Sequence, residues 1–272
     1  MTKRLYFYQD LSWPELRDLA ATDPVVVLPV GTTEQHGPHL PLSTDYLTAG
    51  SIARAAVEQT YPHALVMDAV PYSFNEHHMD YPGTINIDVH TIIDYIAAIG
   101  TSVAHHGFRH IVLFNGHGSN VPFLDIAARM ITNRSNALCA LASWWSLLTP
   151  EDFAWRESSF PGGFSHGCEA ETSLLLHITP DLVDMKQAVR TMDEVQTSEH
   201  IWWDIAGSSG VNFQEFFSRN TTTGVQGDAT VATEEKGRLL FAAATRRLSA
   251  FLEEFRKREI RPRRDLHVGP QC

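Results

Sequence analysis

The sequence is poor in cysteine and in positive charge. Its 272 residues include three cysteines, and none of them is spaced as a CxxC pair. This usage predicts neither a disulfide framework nor a thiolate zinc site, and it favours a reducing compartment. Lysine and arginine number 21 against 32 acidic residues, which gives a net charge of −11. That balance argues against a nucleic-acid partner, because phosphate contacts need clustered cations.

Long apolar runs and linkers are also missing. No uncharged apolar run approaches the ~18 residues of a membrane span, and the first residues, MTKRLYFYQDLSW, lack the apolar core of a signal peptide. These absences predict a cytoplasmic protein without a membrane partner. The basic run RKREIRPRR (256–264) is interpreted as a solvated tail or a subunit contact. Because the chain shows no repeat, low-complexity tract or Gly/Ser linker, we expect one domain over residues 1–272.

Short apolar runs alternate with helical patterns along the chain. Four runs have the composition of buried strands: VVVLPV (25–30), ALVMDAV (64–70), HIVLFN (110–115) and LCALAS (138–143). Helical patterns follow Asp45, Asp88 and Asn120, of which Asp88 and Asn120 are predicted N-caps, and a last long helix is predicted over 230–258. This alternation predicts an α/β fold with a largely parallel sheet flanked by helices.

Polar loops that carry histidine follow three of these strands. They are residues 30–45, FNEHHMDYPGT (74–84) and NGHGSN (115–120), and a fourth polar segment is GGFSHGCEAETSLLLH (162–177). Ligand sites of parallel sheets lie beyond the carboxyl ends of the strands, so these loops are expected to converge on one pocket. Histidines on a random surface would not cluster in this way. The histidines concerned are His36, His39, His77, His78, His117 and His166.

The first loop holds the densest group of metal-ligand residue types. Glu34 and His36 are two residues apart, so in an extended strand end both point to one face. A carboxylate and an imidazole on one face are ordinary ligands for zinc, manganese or iron. Asp45 opens the following helix, and its two carboxylate oxygens could bridge two ions. Each residue alone is more commonly a cap or a satisfied core residue, but the set together indicates a metal site.

The segment NGHGSN allows two interpretations. The glycines on both sides of His117 permit close approach of a ligand. The loop could cradle a phosphate with its backbone amides, or it could present His117 to a metal. Because no lysine or arginine is nearby and neither GxxxxGK[ST] nor GxGxxG is present, we prefer the metal.

The segment 162–177 and the loop 74–84 offer further candidates. If a helix begins near His166, then Glu169 lies on the same face at i+3, while Glu171 points elsewhere and supports the ligands or the helix N-terminus. In the other loop, a substrate or supporting contact is as plausible as simple packing of the loop. The candidates there are His77, His78 and Asp80.

The stretch 30–45 closely resembles the signature of the creatininase family, E-x-H-G-x-H-L-P-x-x-T-D. The blocks EHHMDYPGT, NGHGSN, HGCEAETS and GVQGDATVATEEKG match other blocks of that family in the same order, over roughly residues 20 to 240. The resemblance implies a creatininase-like α/β domain, two bound divalent ions and a homo-oligomer, often a hexamer. It also implies four metal ligands and a catalytic histidine. The ligands are Glu34, His36, Asp45 as the bridge and His117, and the catalytic histidine is His166.

Two departures from creatininase itself are informative. Its fifth ligand is a glutamate two residues after the histidine of NGH, where this chain has Ser119. Members without that glutamate resemble this chain in carrying one in an H-x-x-E segment, so we assign the fifth ligand to Glu169. A tyrosine of creatininase is replaced by Gly118, which argues against creatinine as the substrate. We expect His39 to support the loop rather than to bind metal, with Ser119 near the substrate.

These residues predict a metal-dependent amidohydrolase that cleaves a non-peptide C–N bond, in a cyclic amide or a formamide. Two ions, zinc in the first place and manganese or iron as alternatives, would share a hydroxide that attacks the carbonyl carbon. His166 would carry the proton to the leaving nitrogen. The alternatives are a metal-dependent phosphoester hydrolase and a non-catalytic metal- or ligand-binding protein. An aromatic wall for a flat substrate is a further candidate feature, with Trp144, Trp145 and Trp155 as its members.

Overall fold

The fold is given by a computed structural model that describes residues 6–192 and 197–267. Within these residues the helices are α1 (Trp13–Ala20), α2 (Thr44–Thr60), α3 (Val89–His105), α4 (Val121–Arg134), α5 (Glu169–Ile178) and α6 (Glu234–Arg256). The strands are β1 (Val25–Val30), β2 (Ala64–Val66), β3 (His110–Asn115), β4 (Leu138–Ser143), β5 (Phe164–His166), β6 (Arg190–Thr191), β7 (Trp203–Asp204), β8 (Gly207–Ser208) and β9 (Gln226–Asp228).

The centre of the fold is a parallel sheet with strand order β2-β1-β3-β4. Residues of β1 alternate between two apolar layers: Val25 and Val27 pack toward α2, α5 and α6, whereas Val26 and Leu28 pack toward α1, α3 and α4. Because both faces are covered, the strands are continuous apolar runs rather than alternating ones. The predicted α/β fold with a parallel sheet flanked by helices is confirmed. The single-domain boundary at 1–272 stays a prediction.

Several element boundaries differ from the prediction. Strand β2 ends at Val66, and only an isolated bridge joins Val70 to β1. Asp88 caps α3 as predicted, since its carboxylate accepts the backbone N–H of His90 at 2.9 Å. Asn120 stands at the N-cap position of α4, but its side chain donates to the carbonyl of Gly31 instead of capping the helix.

Two small antiparallel sheets were not predicted. One has the order β5-β9-β6, and the other is the hairpin of β7 and β8. Strands of two or three residues are too short to show a period in the sequence. The pairing of β5 with β9 positions His166, the predicted catalytic histidine, at the end of β5.

The structure also describes two of the cysteines, the hydropathy of the helices and the start of the basic run. Cys139 and Cys168 are free thiols. Over residues 6–192 and 197–267, none of the helices combines the length and the hydropathy that crossing a bilayer requires. At the start of the basic run, Arg256 donates to the backbone carbonyls of Thr22 and Asp23, and most of the residues that follow are exposed.

Candidate metal centre

Two glycines let three elements meet at the carboxyl edge of the sheet. A Cβ atom on Gly31 would lie 2.3 Å from the backbone nitrogen of Tyr46, and one on Gly116 would lie 2.4 Å from the carbonyl oxygen of Asp45. No side chain fits in such gaps, so the ends of β1 and β3 pack directly on the first turn of α2. This packing brings Asp45 back to the end of β1, where the sequence predicts it.

Four of the predicted ligands form one buried cluster. Nε2 of His36 lies 3.0 Å from Oδ1 of Asp45. Nδ1 of His117 lies 3.1 Å from Oε1 of Glu34 and 3.2 Å from Oδ2 of Asp45. Each of these side chains is at most 5% exposed. Asp45 therefore stands between two histidines and offers a different oxygen to each.

Three groups of side chains in this cluster could each hold an ion. Within each group the ligand atoms lie within 4.8 Å of one another. The groups are Glu34–Asp45–His117, His36–Asp45–Glu171 and Glu34–His36–His166. The first two share Asp45 and no other residue, which is the arrangement expected of two sites joined by a bridging carboxylate.

The hydrogen bonding of the cluster fits a bound cation. Both carboxylate oxygens of Glu34, Nε2 of His36 and Oδ2 of Asp45 are buried and have no hydrogen-bond partner of acceptable geometry. Each buried polar atom without a partner costs roughly 1–3 kcal/mol. These atoms converge on one small volume, so divalent ions there would satisfy all of them at once. Imidazole and carboxylate are the donor types that zinc, manganese and iron accept.

A second set of contacts orients the ligands. Nδ1 of His36 lies 3.2 Å from the carbonyl oxygen of Glu34. A carbonyl only accepts, so Nδ1 carries the proton and the lone pair of Nε2 faces the cluster, as in many metal-binding histidines. His39 holds the loop from behind, because its Nε2 is hydrogen-bonded to the hydroxyl of Thr172 on α5 at 2.8 Å.

The cluster is strongly charged when no cation is bound. Burial opposes the charging of both histidines, yet the Asp45 carboxylate raises the pKa of His36 to about 10. Glu34 and Asp45 together raise the pKa of His117 to about 10 against the same effect of burial. Burial raises the pKa of the Glu34 carboxyl. Protons on the two histidines thus stand where ions would, and metal binding is expected to release them.

The two glutamates of α5 do not lie where the sequence predicts. Glu169, the predicted fifth ligand, lies outside the three groups, because its carboxylate accepts a hydrogen bond from Nζ of Lys236 at 2.6 Å and forms an ion pair there. Glu171 points into the cluster instead, with Oε1 4.0 Å from Nε2 of His36. The physical reason is that residues 164–166 form a strand and α5 begins only at Glu169. The expected helical i, i+3 relation between His166 and Glu169 therefore does not exist.

The three candidates of the loop 74–84 lie at different distances from the cluster. Nε2 of His78 lies 3.7 Å from Oε2 of Glu34, inside the cluster. Nε2 of His77 is hydrogen-bonded at 2.9 Å to the hydroxyl of Ser119, beside the cluster. Asp80 is exposed and accepts a hydrogen bond from Ser218, so it stands apart from the ligand groups.

Sequence reasoning missed three residues around the cluster. Gln35 lies between the predicted ligands Glu34 and His36 in the family signature, and that position is the one sequence signal that points to it. Phe217 stacks on His78 with ring centroids 4.2 Å apart, although it comes from a polar segment that gives no sequence signal. Trp203 lies near Gly118 and lines a cavity of about 650 Å³ together with Trp145. Trp144, by contrast, is buried in the core.

Comparison with known proteins identifies the family. The sequence matches the Creatininase family, described as creatinine amidohydrolase, over residues 9–252. The chain belongs to the creatininase family. Among curated relatives, the mycofactocin precursor peptide peptidase of Mycolicibacterium smegmatis is 31% identical over 246 residues, which cover 88% of this chain and 89% of that protein. The creatinine amidohydrolase of Pseudomonas putida is 30% identical over 267 residues, covering 92% and 97%.

Solved creatininase structures share the fold. A structure described as "Creatininase Mn" has 28% identity, covers 92% of this creatininase-family chain and 98% of its own, and has a TM-score of 0.77. A mutant creatininase of "Zn-Zn type" has 29% identity, the same coverage and a TM-score of 0.75. These relatives and neighbours are hydrolases by name, and the chain is accordingly an enzyme of the hydrolase class.

Proposed function

We propose that this creatininase-family hydrolase cleaves an amide C–N bond of a small molecule with the help of two divalent ions. The observation that carries the proposal is the position of Asp45, which offers Oδ2 to the group with Glu34 and His117 and Oδ1 to the group with His36 and Glu171. Both carboxylate oxygens of Glu34, Nε2 of His36 and Oδ2 of Asp45 converge there without a hydrogen bond of acceptable geometry, and two bound ions would take these atoms as ligands.

The ligand sets define what the ions would do. Glu34 and His117 would hold one ion, His36 and Glu171 would hold the other, and Asp45 would bridge them. Two ions held in this way supply a water nucleophile near neutral pH and polarise the carbonyl group that it attacks. Zinc is the first choice and manganese the second, since solved family structures are described with each of these metals. Iron accepts the same donor types.

His166 is the proposed proton carrier. Its Nε2 lies 2.7 Å from the backbone carbonyl oxygen of Gln35 and 3.2 Å from the side-chain amide nitrogen of Gln35, and since a lone pair would be repelled by the nearer carbonyl oxygen, Nε2 carries the proton. The lone pair of Nδ1 faces the cluster, 3.8 Å from Oε1 of Glu34. Burial, together with the charge of His36, lowers the pKa of His166, which keeps the ring neutral and able to accept a proton. That proton comes from the attacking water and goes to the leaving nitrogen as the C–O bond forms and the C–N bond breaks.

The substrate we propose is a cyclic amide or a formamide. The name of the Pseudomonas relative refers to a non-peptide amide, whereas that of the Mycolicibacterium relative refers to a peptide, so both kinds belong in a test. The phosphate interpretation of NGHGSN has little support. The backbone N–H of His117 donates to the side chain of Asn115, and that of Asn120 donates to the carbonyl of His117, so two amides of the supposed cradle are already used.

A substrate screen with the metal-replete enzyme tests the proposal. Cyclic amides, formamides, short peptides and phosphoesters are compared, and the expected result is hydrolysis of an amide of the first two classes. His166→Ala should keep two ions per chain and lose hydrolysis by about 10²–10⁴-fold, the usual contribution of general acid–base catalysis. His90→Ala, at an exposed position of α3, is the control and should change neither.

Three results would contradict parts of this function. Turnover of phosphoesters alone would remove the amide assignment. Full activity of His166→Ala would remove the proton role. Loss of an ion in His166→Ala would make His166 a ligand, in line with its membership of the third ligand group.

Assembly and location stay predictions. A homo-oligomer, with a hexamer as the first expectation, is supported by the family resemblance, and light scattering of the purified protein would measure it. A cytoplasmic location is supported by the composition and cysteine usage of the sequence.

A further inference from the structure

Gln35 contacts two histidines beside the buried cluster, His78 and His166. Its Oε1 accepts the backbone N–H of Gly37 at 2.9 Å, and this contact fixes which end of the amide is oxygen. A reversed amide would place two N–H donors against each other. The side chain is also tightly packed, because a Cβ atom on Gly224 would lie 1.9 Å from the same oxygen. The amide nitrogen of Gln35 therefore has one defined position.

That position determines where His78 carries its proton. Nε2 of Gln35 lies 3.1 Å from Nδ1 of His78. An amide nitrogen only donates, so Nδ1 of His78 accepts and the proton of the neutral ring is on Nε2. Nε2 lies 3.7 Å from Oε2 of Glu34, which is longer than a hydrogen bond. His78 thus directs an N–H group at the cluster.

The same glutamine sets the opposite tautomer in His166. Nε2 of His166 lies 2.7 Å from the backbone carbonyl oxygen of Gln35 and 3.2 Å from the amide nitrogen of its side chain. A lone pair facing a carbonyl oxygen at 2.7 Å would be repelled, so Nε2 carries the proton and donates to the carbonyl, the longer contact is not a hydrogen bond, and Nδ1 directs its lone pair at the cluster. The two rings are neighbours, with centroids 4.8 Å apart. Phe217 packs on both, at 4.2 Å from His78 and 4.7 Å from His166, and covers them from solvent. One residue therefore places one donor and one acceptor side by side.

We propose that His78 is a catalytic hydrogen-bond donor of this hydrolase and that Gln35 is the positioning residue that keeps its proton on Nε2. The Nε2–H group binds the carbonyl oxygen of the substrate, where negative charge grows as water attacks. The proton stays on His78 throughout, while His166 carries the transferred proton. These separate roles of His78 and His166 rest on the proposed amide hydrolysis. It differs from a packing role for His78, which would not depend on the tautomer.

Direct measurement of the tautomer tests the first half. In the full-length protein loaded with zinc, ¹⁵N NMR of labelled histidine should show the proton of His78 on Nε2. Gln35→Glu replaces the donor by an acceptor and should move that proton to Nδ1. Gln35→Leu removes the partner and should leave a mixture. A wild-type His78 protonated on Nδ1 would overturn the proposal, whatever the substrate proves to be.

Kinetics test the second half. His78→Phe should lower kcat by about 10²–10³-fold, the cost of removing one oxyanion donor, with KM and two ions per chain unchanged. His78→Gln keeps a donor and should recover part of the loss. His90→Phe, at an exposed position of α3, is the control and should leave kcat unchanged. Gln35→Glu should lower kcat without lowering the metal content.

The outcomes separate this proposal from the proposed function. If His78→Phe keeps full kcat, or if Gln35→Glu reverses the tautomer and keeps full kcat, His78 is not the donor. If His78→Phe fails to fold, Gln35→Glu carries the decision. A wild-type enzyme that hydrolyses no amide would refute the function, and in that case the tautomer of His78 and its reversal in Gln35→Glu still decide whether Gln35 sets the donor.

Discussion

Glu169 and Glu171 are both buried carboxylates on the first turn of α5, yet they differ in almost every contact. Glu169 is fully satisfied: it accepts hydrogen bonds from Lys236 at 2.6 Å and from the backbone N–H groups of Glu157 at 3.1 Å and Ser158 at 2.8 Å. Glu171 accepts the backbone N–H of Gly167 at 2.6 Å on one oxygen and directs the other toward His36 in the buried cluster.

The difference between the two residues lies in their partners and not in their burial. Burial alone does not separate the two residues, since Glu169 is 0% and Glu171 is 8% exposed. Their partners do. Glu169 has a cation of the chain itself beside it, which with its hydrogen bonds lowers its pKa against the effect of burial. Burial, with the charge of Asp45, raises the pKa of Glu171 to about 7, and a divalent ion would reverse that shift.

Exchange of each carboxylate for an amide gives the largest expected contrast. Glu171→Gln should lose one of two ions and lower kcat by about 10²–10³-fold, as when a group that stabilises the transition state is removed. Glu169→Gln should retain both ions. Metal analysis and activity of the two variants, prepared side by side, measure the contrast. Equal loss of metal from both would restore Glu169 as a ligand candidate.

Removal of the cation next to Glu169 should act on stability and not on metal. Lys236→Met leaves a buried carboxylate without its ion pair, which costs roughly 3–5 kcal/mol of unfolding free energy. Denaturant unfolding measures this value, and the ion content of the folded variant should stay at two. Arg238→Met is the matched control on the same helix, because its pair with Glu235 is exposed and should leave the unfolding midpoint unchanged. An equal change in unfolding free energy in the two variants would show that the buried pair of Lys236 and Glu169 contributes no more than the exposed pair of Arg238 and Glu235.

The smallest contrast is in the pH dependence of the metal-free protein. The lowered pKa of Glu169 means that its contribution is present above its unfolded pKa near 4.5 and is lost as the pH falls through the folded value. The raised pKa of Glu171 has the opposite effect on stability. Its contribution to the free energy of unfolding is fully present below about pH 4.5 and is lost as the pH rises through about 7.

Unfolding of chelated protein between pH 3 and pH 8 measures both effects. Relative to wild type, Glu171→Gln should gain stability as the pH rises from about 4.5 to about 7. Glu169→Gln should be less stable than wild type by a constant amount above pH 4.5, and this difference should shrink as the pH falls below 4.5. Parallel curves for the two variants would refute the assigned environments.

The sequence predicted the parts of the fold that depend on strong local patterns. Strands β1, β3 and β4 match the apolar runs residue for residue, and Asp88 caps α3 as expected. The prediction failed where a short element has no local sequence pattern. Nothing periodic marks β5 as a strand of three residues, and without that strand the start of α5 was placed too early. The preference for Glu169 over Glu171 depended on a helix expected from His166 and on the H-x-x-E resemblance, and the later start of α5 removes the first of these grounds.

The sequence by itself determined the family and four residues of the buried cluster, because Glu34, His36 and Asp45 lie within one signature and His117 follows a recognisable strand. Only the tertiary structure brings Glu171, and not Glu169, into the cluster with them. That choice depends on Lys236, 67 residues further along the chain, whose ammonium group lies beside Glu169 and leaves Glu171 for the cluster. A contact between residues so far apart has no local period or spacing, so it exists only once the chain has folded.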